Sequence, residues 1–360
     1  MTTLWITGAG GVVGGKLVER ALVGGRYDRL RALSHSPAPD LAARYPGVEW
    51  ATLDLGDREA VREQARLSPP DVVAHPAAMT NVDACETHRD EAHRANADAP
   101  RWLAEVCRDR GAHLLHVSTD YVFPGDDAQP GPYAEDASPR PISYYGQSKL
   151  DGERAIAEVC GDRGAHLLHV STDYIFPGDD AQPGPYAEDA PPRPISYYGQ
   201  SKLDGERAIA EVCGSGTPYT ILRTALVYGL GRRANFVTWL AGELRAGRRL
   251  RIVRDQYNTP TIADDLAAVL LWLAEQQRTG IYHAAGPDLV GRHEWALAIA
   301  RHFALDTSLI DWVTSAELAQ PARRPLRSGL TCARLLAEQD APRLRGVARG
   351  LTEIDWLAAQ

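Results

Sequence analysis

The chain has 360 residues, 44% of them apolar, and a formal net charge of −8 with no basic run longer than Arg-Arg. That balance argues against nucleic acid or an anionic membrane as its main partner. No apolar run approaches the ~20 residues of a membrane span, and Met1–Trp5 leads into a strand-like stretch without a basic signal region. The five cysteines, three of them one position copied by an internal repeat, do not make a disulfide framework, so a reduced, cytoplasmic setting is expected.

Leu4-Trp5-Ile6-Thr7 reads as a short buried strand, followed by Gly8-Ala9-Gly10-Gly11-Val12-Val13-Gly14 and a helix that stops at Gly24-Gly25. Glycines at 8, 11 and 14 let the backbone turn tightly and approach a pyrophosphate. Free N–H groups at the helix start, around Val12 and Val13, favour that anion. The second strand, Leu30–Leu33, runs into Ser34-His35-Ser36. An acidic residue there would hold the adenine ribose 2′-OH of NAD. Ser34 and His35 suit a 2′-phosphate instead, which favours NADP(H) and leaves NAD(H) open. A third strand over Val48–Leu55 places Asp54 and Leu55 at the adenine edge, and Asp57–Leu67 is helix-like. Asp71–Ala74 is a fourth strand running into His75-Pro76-Ala77-Ala78, where the small Ala77 and Ala78 let the chain pass close to a cofactor. A helix containing Asn96 then ends near Asp109. Alternating strand and helix patterns predict an α/β fold: a Rossmann-type doubly wound parallel sheet with a smaller C-terminal lobe.

Residues 108–160 are then written twice. Residues 161–213 repeat them at an offset of 53, with differences only at Arg108/Gly161, Val122/Ile175 and Ser138/Pro191. The tetrapeptide Ala-Glu-Val-Cys stands at 104–107, 157–160 and 210–213, as tandem slippage would leave it. Each copy reads as a strand, a polar loop and a helix. Each holds Ser-Thr-Asp after the strand (Thr119; Thr172) and Tyr-Gly-Gln-Ser-Lys in the helix (Tyr145 and Lys149; Tyr198 and Lys202). Tyrosine and lysine four apart share one helix face. The chain has 39 Lys plus Arg, yet Lys16, Lys149 and Lys202 are its only lysines. Arginine cannot replace a compact ammonium beside a phenol. With one copy removed, about 300 residues remain, enough for a nucleotide-binding domain and a small lobe. Tyr219–Val227 is expected as a strand, 230–250 as helix, 255–261 as a loop before a helix, and Gly280–Ala285 as a strand. The domains are therefore expected at 1–229, containing both copies, and 230–360, a helix-rich substrate lobe.

With Tyr-x-x-x-Lys following Ser-Thr-Asp, the chain resembles the extended short-chain dehydrogenase/reductases. It is most similar to the dTDP-4-dehydrorhamnose reductase group. The matching stretches are Thr7–Gly14, Ala77–Glu86, Ser118–Phe123 with Ser171–Phe176, Tyr144–Lys149 with Tyr197–Lys202, Arg223–Gly229 and Asp255–Thr261. The resemblance implies NADPH-dependent reduction of a 4-keto nucleotide sugar, with no metal. The tyrosine (Tyr145 or Tyr198) would protonate the carbonyl oxygen. The lysine (Lys149 or Lys202) would lower the phenol's pKa and hold the nicotinamide ribose. Thr119 or Thr172 would orient the same oxygen. The family's tryptophan is Leu226 here, its common glycine is Asn258, and its Asn-Ala is His75-Pro76. A dehydratase would want a carboxylic acid where Tyr121 and Tyr174 stand. A 4-epimerase, and a non-catalytic NADP-binding regulatory protein, stay open.

One strand slot and one helix groove were expected for two copies. Three threadings follow: copy one docked, copy two docked, or a hybrid of the first strand with the second helix. The second copy is favoured because its helix leads directly into Tyr219–Val227. A spare copy would be mobile, form an extra layer, or swap into a second chain to make a homodimer.

Overall fold

The computed structural model describes the chain except for residues 1, 80–81, 117–143, 161–166, 180, 197–199, 201–202, 204–205, 208–209, 211–217, 231–234, 319–323 and 355–360. Its residues fall into two compact units interleaved along the chain, where a single boundary after Gly229 was expected. One holds 1–171, 201–222 and 270–281; the other holds 172–200, 223–269 and 282–360.

The first unit is built on β1 (Thr3–Thr7), β2 (Arg29–Ser34), β3 (Glu49–Thr52), β4 (Val72–His75) and β5 (His113–His116), ordered β3-β2-β1-β4-β5. All four pairings are parallel, so each strand must be regained by a crossover. Helices α1 (Val12–Gly24), α2 (Pro39–Arg44) and α3 (Arg58–Leu67) supply the first of these. Gly25, at φ +59°, ends α1 as expected. β3 stops at Thr52 and not at Leu55. The Asp54 carboxylate accepts a hydrogen bond from Gly56 N at 2.9 Å, and that turn ends the extended run. Asp57 then caps α3 through Ala60 N, and α3 buries Val61 and Ala65 one turn apart.

After β4, two short helices, α4 (Val82–Thr87) and α5 (Arg89–His93), lead into a π-helical turn over Arg94–Asp98 and then α6 (Ala99–Arg110). Gly111, at φ +68°, ends α6. The core behind the sheet contains Trp5, Leu33, Val73, Leu103, Leu114 and Ile156. Ile156 comes from α7 (Tyr144–Cys160), the helix of the first repeat copy. Burying a side chain of that size stabilises by about 1.5–3 kcal/mol, so this helix is part of the unit's core.

Both copies contribute strands. β5 is the first copy's strand, paired with β4. The equivalent segment of the second copy is β6 (Leu167–Thr172), in a separate three-stranded sheet ordered β12-β7-β6. Its other members are β7 (Tyr219–Thr224) and β12 (Gly280–Ala284). The arrangement matches the threading with copy one docked, except that the second copy's strand is placed in a sheet. A duplicated unit that contains a whole strand and a whole helix leaves the alternation of the chain intact, so its strand is placed in a sheet and not expelled.

In the second unit the expected strand over Tyr219–Val227 is broken. β7 ends at Thr224 and β8 (Val227–Tyr228) follows, because Leu226 sits at φ +38°, outside the extended region. The expected helix over 230–250 is confined, among the described residues, to Phe236–Arg245. Asn235 and Thr238 close it with a capping box, and Gly247 at φ +69° follows its end. β9 (Leu250–Val253) pairs in parallel with β14 (Ile310–Val313). The expected loop 255–261 carries two short strands. β10 (Tyr257–Asn258) is antiparallel to β13 (Val290–Gly291), and β11 (Thr261–Ile262) is parallel to β8. Helix Arg292–His302 packs here in a core of Tyr228, Val237, Leu240, Ile252, Trp295 and Ile310. No helix among the described residues is long and apolar enough to cross a membrane.

Candidate active site

The glycine turn in the first unit is built by close approach. Gly8 has φ +57°, and a Cβ there would lie 2.9 Å from Ala77 Cα, in the segment after β4. A Cβ on Gly14 would lie 2.2 Å from Gly8 O. Gly11 donates to Gly8 O at 2.8 Å and begins α1 with no side-chain cap and no acidic residue in the first turn. Beside Gly10 there is open space. The first N–H groups of a 13-residue helix are thus left without side-chain partners where a dinucleotide pyrophosphate would sit. Ala77 is the expected close neighbour; Ala78 is half-buried beside it. Val13 is half-buried, and the side chain of Val12 lies outside the described residues.

At the end of β2 the Ser34 hydroxyl donates to Ser36 O at 2.7 Å, and His35 is exposed with no carboxylate in this turn. Asp54, expected at the adenine edge, is ion-paired with Arg94. Leu55 packs against the core behind the sheet. The sequence held no signal for that ion pair, since 40 residues separate its members.

Asn96 ties α7 to this unit. It is fully buried in the π-helical turn, and its side-chain amide brackets Met79: Met79 N donates to Oδ1 at 2.9 Å, and Nδ2 donates to Met79 O at 3.0 Å. Nδ2 also donates to Ser148 Oγ at 3.0 Å. Four residues along α7, a Cβ on Gly152 would lie 2.2 Å from Asn96 O, so the helix rests directly on the π turn's backbone. Tyr144 N donates to Glu86 Oε1 at 2.6 Å at the start of α7, and this bond holds the Glu86 carboxyl below its usual range. The groove therefore takes the first copy's helix, where the second copy's was favoured. The physical reason is connection: this groove receives the helix that follows β5, and β5 belongs to the first copy.

Lys149, next to Ser148, is only 1% exposed. Its charge reaches His75 at the end of β4 and His116 at the end of β5, both fully buried. Burial first, and Lys149 second, pull His75 down to about 3. The same causes, joined by His75 and His169, hold His116 well below its ordinary value. The Tyr145 side chain, and Thr119, Tyr198 and Lys202 entirely, lie outside the described residues.

Thr172 belongs to the second unit. Its hydroxyl accepts from Tyr174 N at 3.3 Å and donates to Asp173 Oδ1 at 3.3 Å, so it caps the single turn Asp173–Ile175. Asp173 is buried at 1% exposure and accepts from Asn258 Nδ2 at 2.8 Å; the same Nδ2 lies 2.8 Å from Ser328 Oγ. Burial pushes the Asp173 carboxyl up, and these hydrogen bonds oppose it. Asn258, an expected departure from the family pattern, is thus what holds the second copy's Ser-Thr-Asp turn. A small cavity nearby is lined by Tyr174, Leu226, Tyr257, Asn258, Arg292 and Trp295. The guanidinium of Arg292 lies over Phe236 at 4.6 Å and Trp295 at 5.6 Å. Arg292 and Trp295 were not singled out in the sequence. They stand in an ordinary amphipathic helix pattern.

A family model described as the RmlD substrate binding domain matches residues 1–160 and 154–349. The chain belongs to the RmlD family. Its two matches meet at the end of the first repeat copy. The "Probable low-salt glycan biosynthesis reductase Agl14" of Haloferax volcanii is 30% identical to this RmlD-family chain over 91% of the chain and 88% of that protein. A dTDP-4-dehydrorhamnose reductase of Mycobacterium tuberculosis is 32% identical over 91% of the chain and 84% of its own length. The crystal structure of the dTDP-4-dehydrorhamnose reductase of Bacillus anthracis, in complex with NADP, superposes with a TM-score of 0.59. It covers 98% of the chain and 99% of its own, at 23% identity.

Proposed function

We infer that this RmlD-family protein is an NADPH-dependent reductase that converts a 4-keto nucleotide sugar of the dTDP-4-dehydrorhamnose type into the 4-hydroxy sugar. The observation that carries the reading is the docking of α7. The helix bearing Tyr145 and Lys149 lies against Asn96, and the segment Asn96 grips, at Met79, is continuous with Ala77 beside the glycine turn.

The uncapped start of α1 and the Gly8–Gly14 turn hold the dinucleotide phosphates, and Ser34 and His35 face the adenosine 2′-phosphate. Reduced nicotinamide, when bound, supplies a hydride to the sugar's carbonyl carbon. Tyr145 gives its phenolic proton to the carbonyl oxygen. A free phenol has a pKa of about 10, so the Lys149 ammonium one turn on is needed to make it an effective acid near neutral pH. The Lys149 ammonium also holds the nicotinamide ribose. The threonine hydroxyl of the Ser-Thr-Asp turn, Thr119 or Thr172, orients the substrate oxygen.

The test is NADPH oxidation by purified full-length protein with a dTDP-4-keto-6-deoxy sugar. Turnover is the expected result. Tight NADPH binding with no turnover would leave the non-catalytic binding protein as the correct reading. Interconversion of a 4-hydroxy nucleotide sugar and its C4 epimer, without net NADPH consumption, would leave the epimerase.

A further inference from the structure

The ends of β4 and β5 carry a feature that the proposed chemistry does not use. His75 and His116 are register partners in the parallel ladder. Both are 0% exposed, and their rings stack with centroids 5.2 Å apart and planes 29° apart. His75 Nδ1 lies 2.7 Å from Thr7 Oγ, which also accepts from Ala77 N at 3.4 Å. The Thr7 hydroxyl oxygen has two lone pairs, so His75 Nδ1–H can donate to it alongside Ala77 N, which leaves His75 Nε2 as an acceptor. His75 Nε2 and both ring nitrogens of His116 have no hydrogen-bond partner within the described protein.

A buried polar nitrogen left unmade costs about 1–3 kcal/mol. Two such rings side by side would be a poor choice for a strand end unless something polar faced them. The groups whose charge acts on the rings are Lys149 on α7, the neighbouring ring, and His169 on β6; no carboxylate is among them. His169 is itself 0% exposed and occupies, in the second copy, the position of His116 in the first. Among the described residues these histidines are not arranged as a metal site.

We propose that His75 and His116 are positioning residues for Lys149, solvating its ammonium with neutral imidazole nitrogens through a trapped water. A neutral acceptor stabilises a buried cation without cancelling its charge. A carboxylate in the same place would hold the lysine equally well, but would remove most of the positive field that lowers a neighbouring phenol's pKa. The departure His75 from the family's asparagine keeps this neutrality. This inference rests on the reductase reading for its consequence in catalysis, but not for the contact itself.

Lys16, Lys149 and Lys202 are the only lysines, so the full-length protein with isotope-labelled lysine gives three side-chain NMR signals, assigned by single Lys→Arg variants. The Lys149 signal is followed against pH without substrate. His116→Gln, a neutral polar replacement, should leave the Lys149 titration where it is. His116→Leu should lower its pKa by about one or more, and His116→Glu should raise it by a similar amount. His75→Asn and His75→Leu repeat the comparison if the β5 variants do not fold. Equal Lys149 titrations in the glutamine, leucine and glutamate variants would overturn the proposal. Because no substrate is present, that outcome is distinct from a protein that simply reduces no keto sugar. In a turning-over enzyme, the alkaline limb of kcat/KM moves with the Lys149 titration, which a merely structural histidine would not produce.

Discussion

Substituting Gly152 by alanine tests the seating of the first copy's helix with a single methyl group. The added Cβ would lie 2.2 Å from Asn96 O and 3.3 Å from Pro100 Cγ. The first of these is a backbone carbonyl in the π-helical turn and cannot rotate away, so α7 or the π turn must shift. Overpacking of this kind costs typically about 1–3 kcal/mol, while alanine gains about 1 kcal/mol over glycine in a helix interior. The clash is with backbone, so the upper part of that range applies and the net loss is about 1–2 kcal/mol. Urea denaturation followed by tryptophan fluorescence reads the variant against the parent, with the urea slope checked for constancy. A Gly152→Ala variant as stable as the parent would refute the docking of the first copy's helix.

Tyr145→Phe should lower kcat by roughly 10²- to 10⁴-fold with NADPH binding retained, while Tyr198→Phe stays near the parent rate; steady-state kinetics on the two single variants checks this. Gly14→Ala places a Cβ 2.2 Å from Gly8 O and should weaken NADPH binding about tenfold or more, read by nucleotide fluorescence titration. Burial raises the Asp173 carboxyl above its ordinary 3.8, so its contribution is fully present below that value and is lost as pH rises through the folded pKa. Asp173→Asn should therefore flatten the stability curve over that window, measured by denaturation at a series of pH values. His75 and His283 are both pulled down to about 3, so stability should fall as pH drops from 6.5 towards 3. His283→Gln should remove part of that slope; an unchanged slope would show that the ring is not held neutral in the fold.

The duplication is accommodated by dividing its parts. The first copy gives the five-stranded sheet its last strand and gives the Asn96 groove its helix. The second copy gives the three-stranded sheet a strand, and its Ser-Thr-Asp turn is secured through Asn258 within the second unit. The copies are nearly identical in sequence, so no difference in side-chain preference could assign these places. They follow from connection and from what each segment meets.

The glycine turn, the strand–helix alternation, the Tyr-x-x-x-Lys helix and the repeat itself were legible in the letters, because each is a local pattern whose spacing has one physical meaning. The same holds for Gly25, whose backbone conformation marks a helix end. The break at Leu226, the π-helical turn at Asn96 and the ion pair of Asp54 with Arg94 were not legible. Each depends on a neighbour distant in sequence. The sequence by itself determined the glycine turn, the alternation of strand and helix and the two copies of one Tyr-x-x-x-Lys segment. Only the tertiary structure decided which helix rests on Asn96 and that two stacked histidines lie under Lys149's charge, because burial and close contact arise when segments far apart in the chain are packed together.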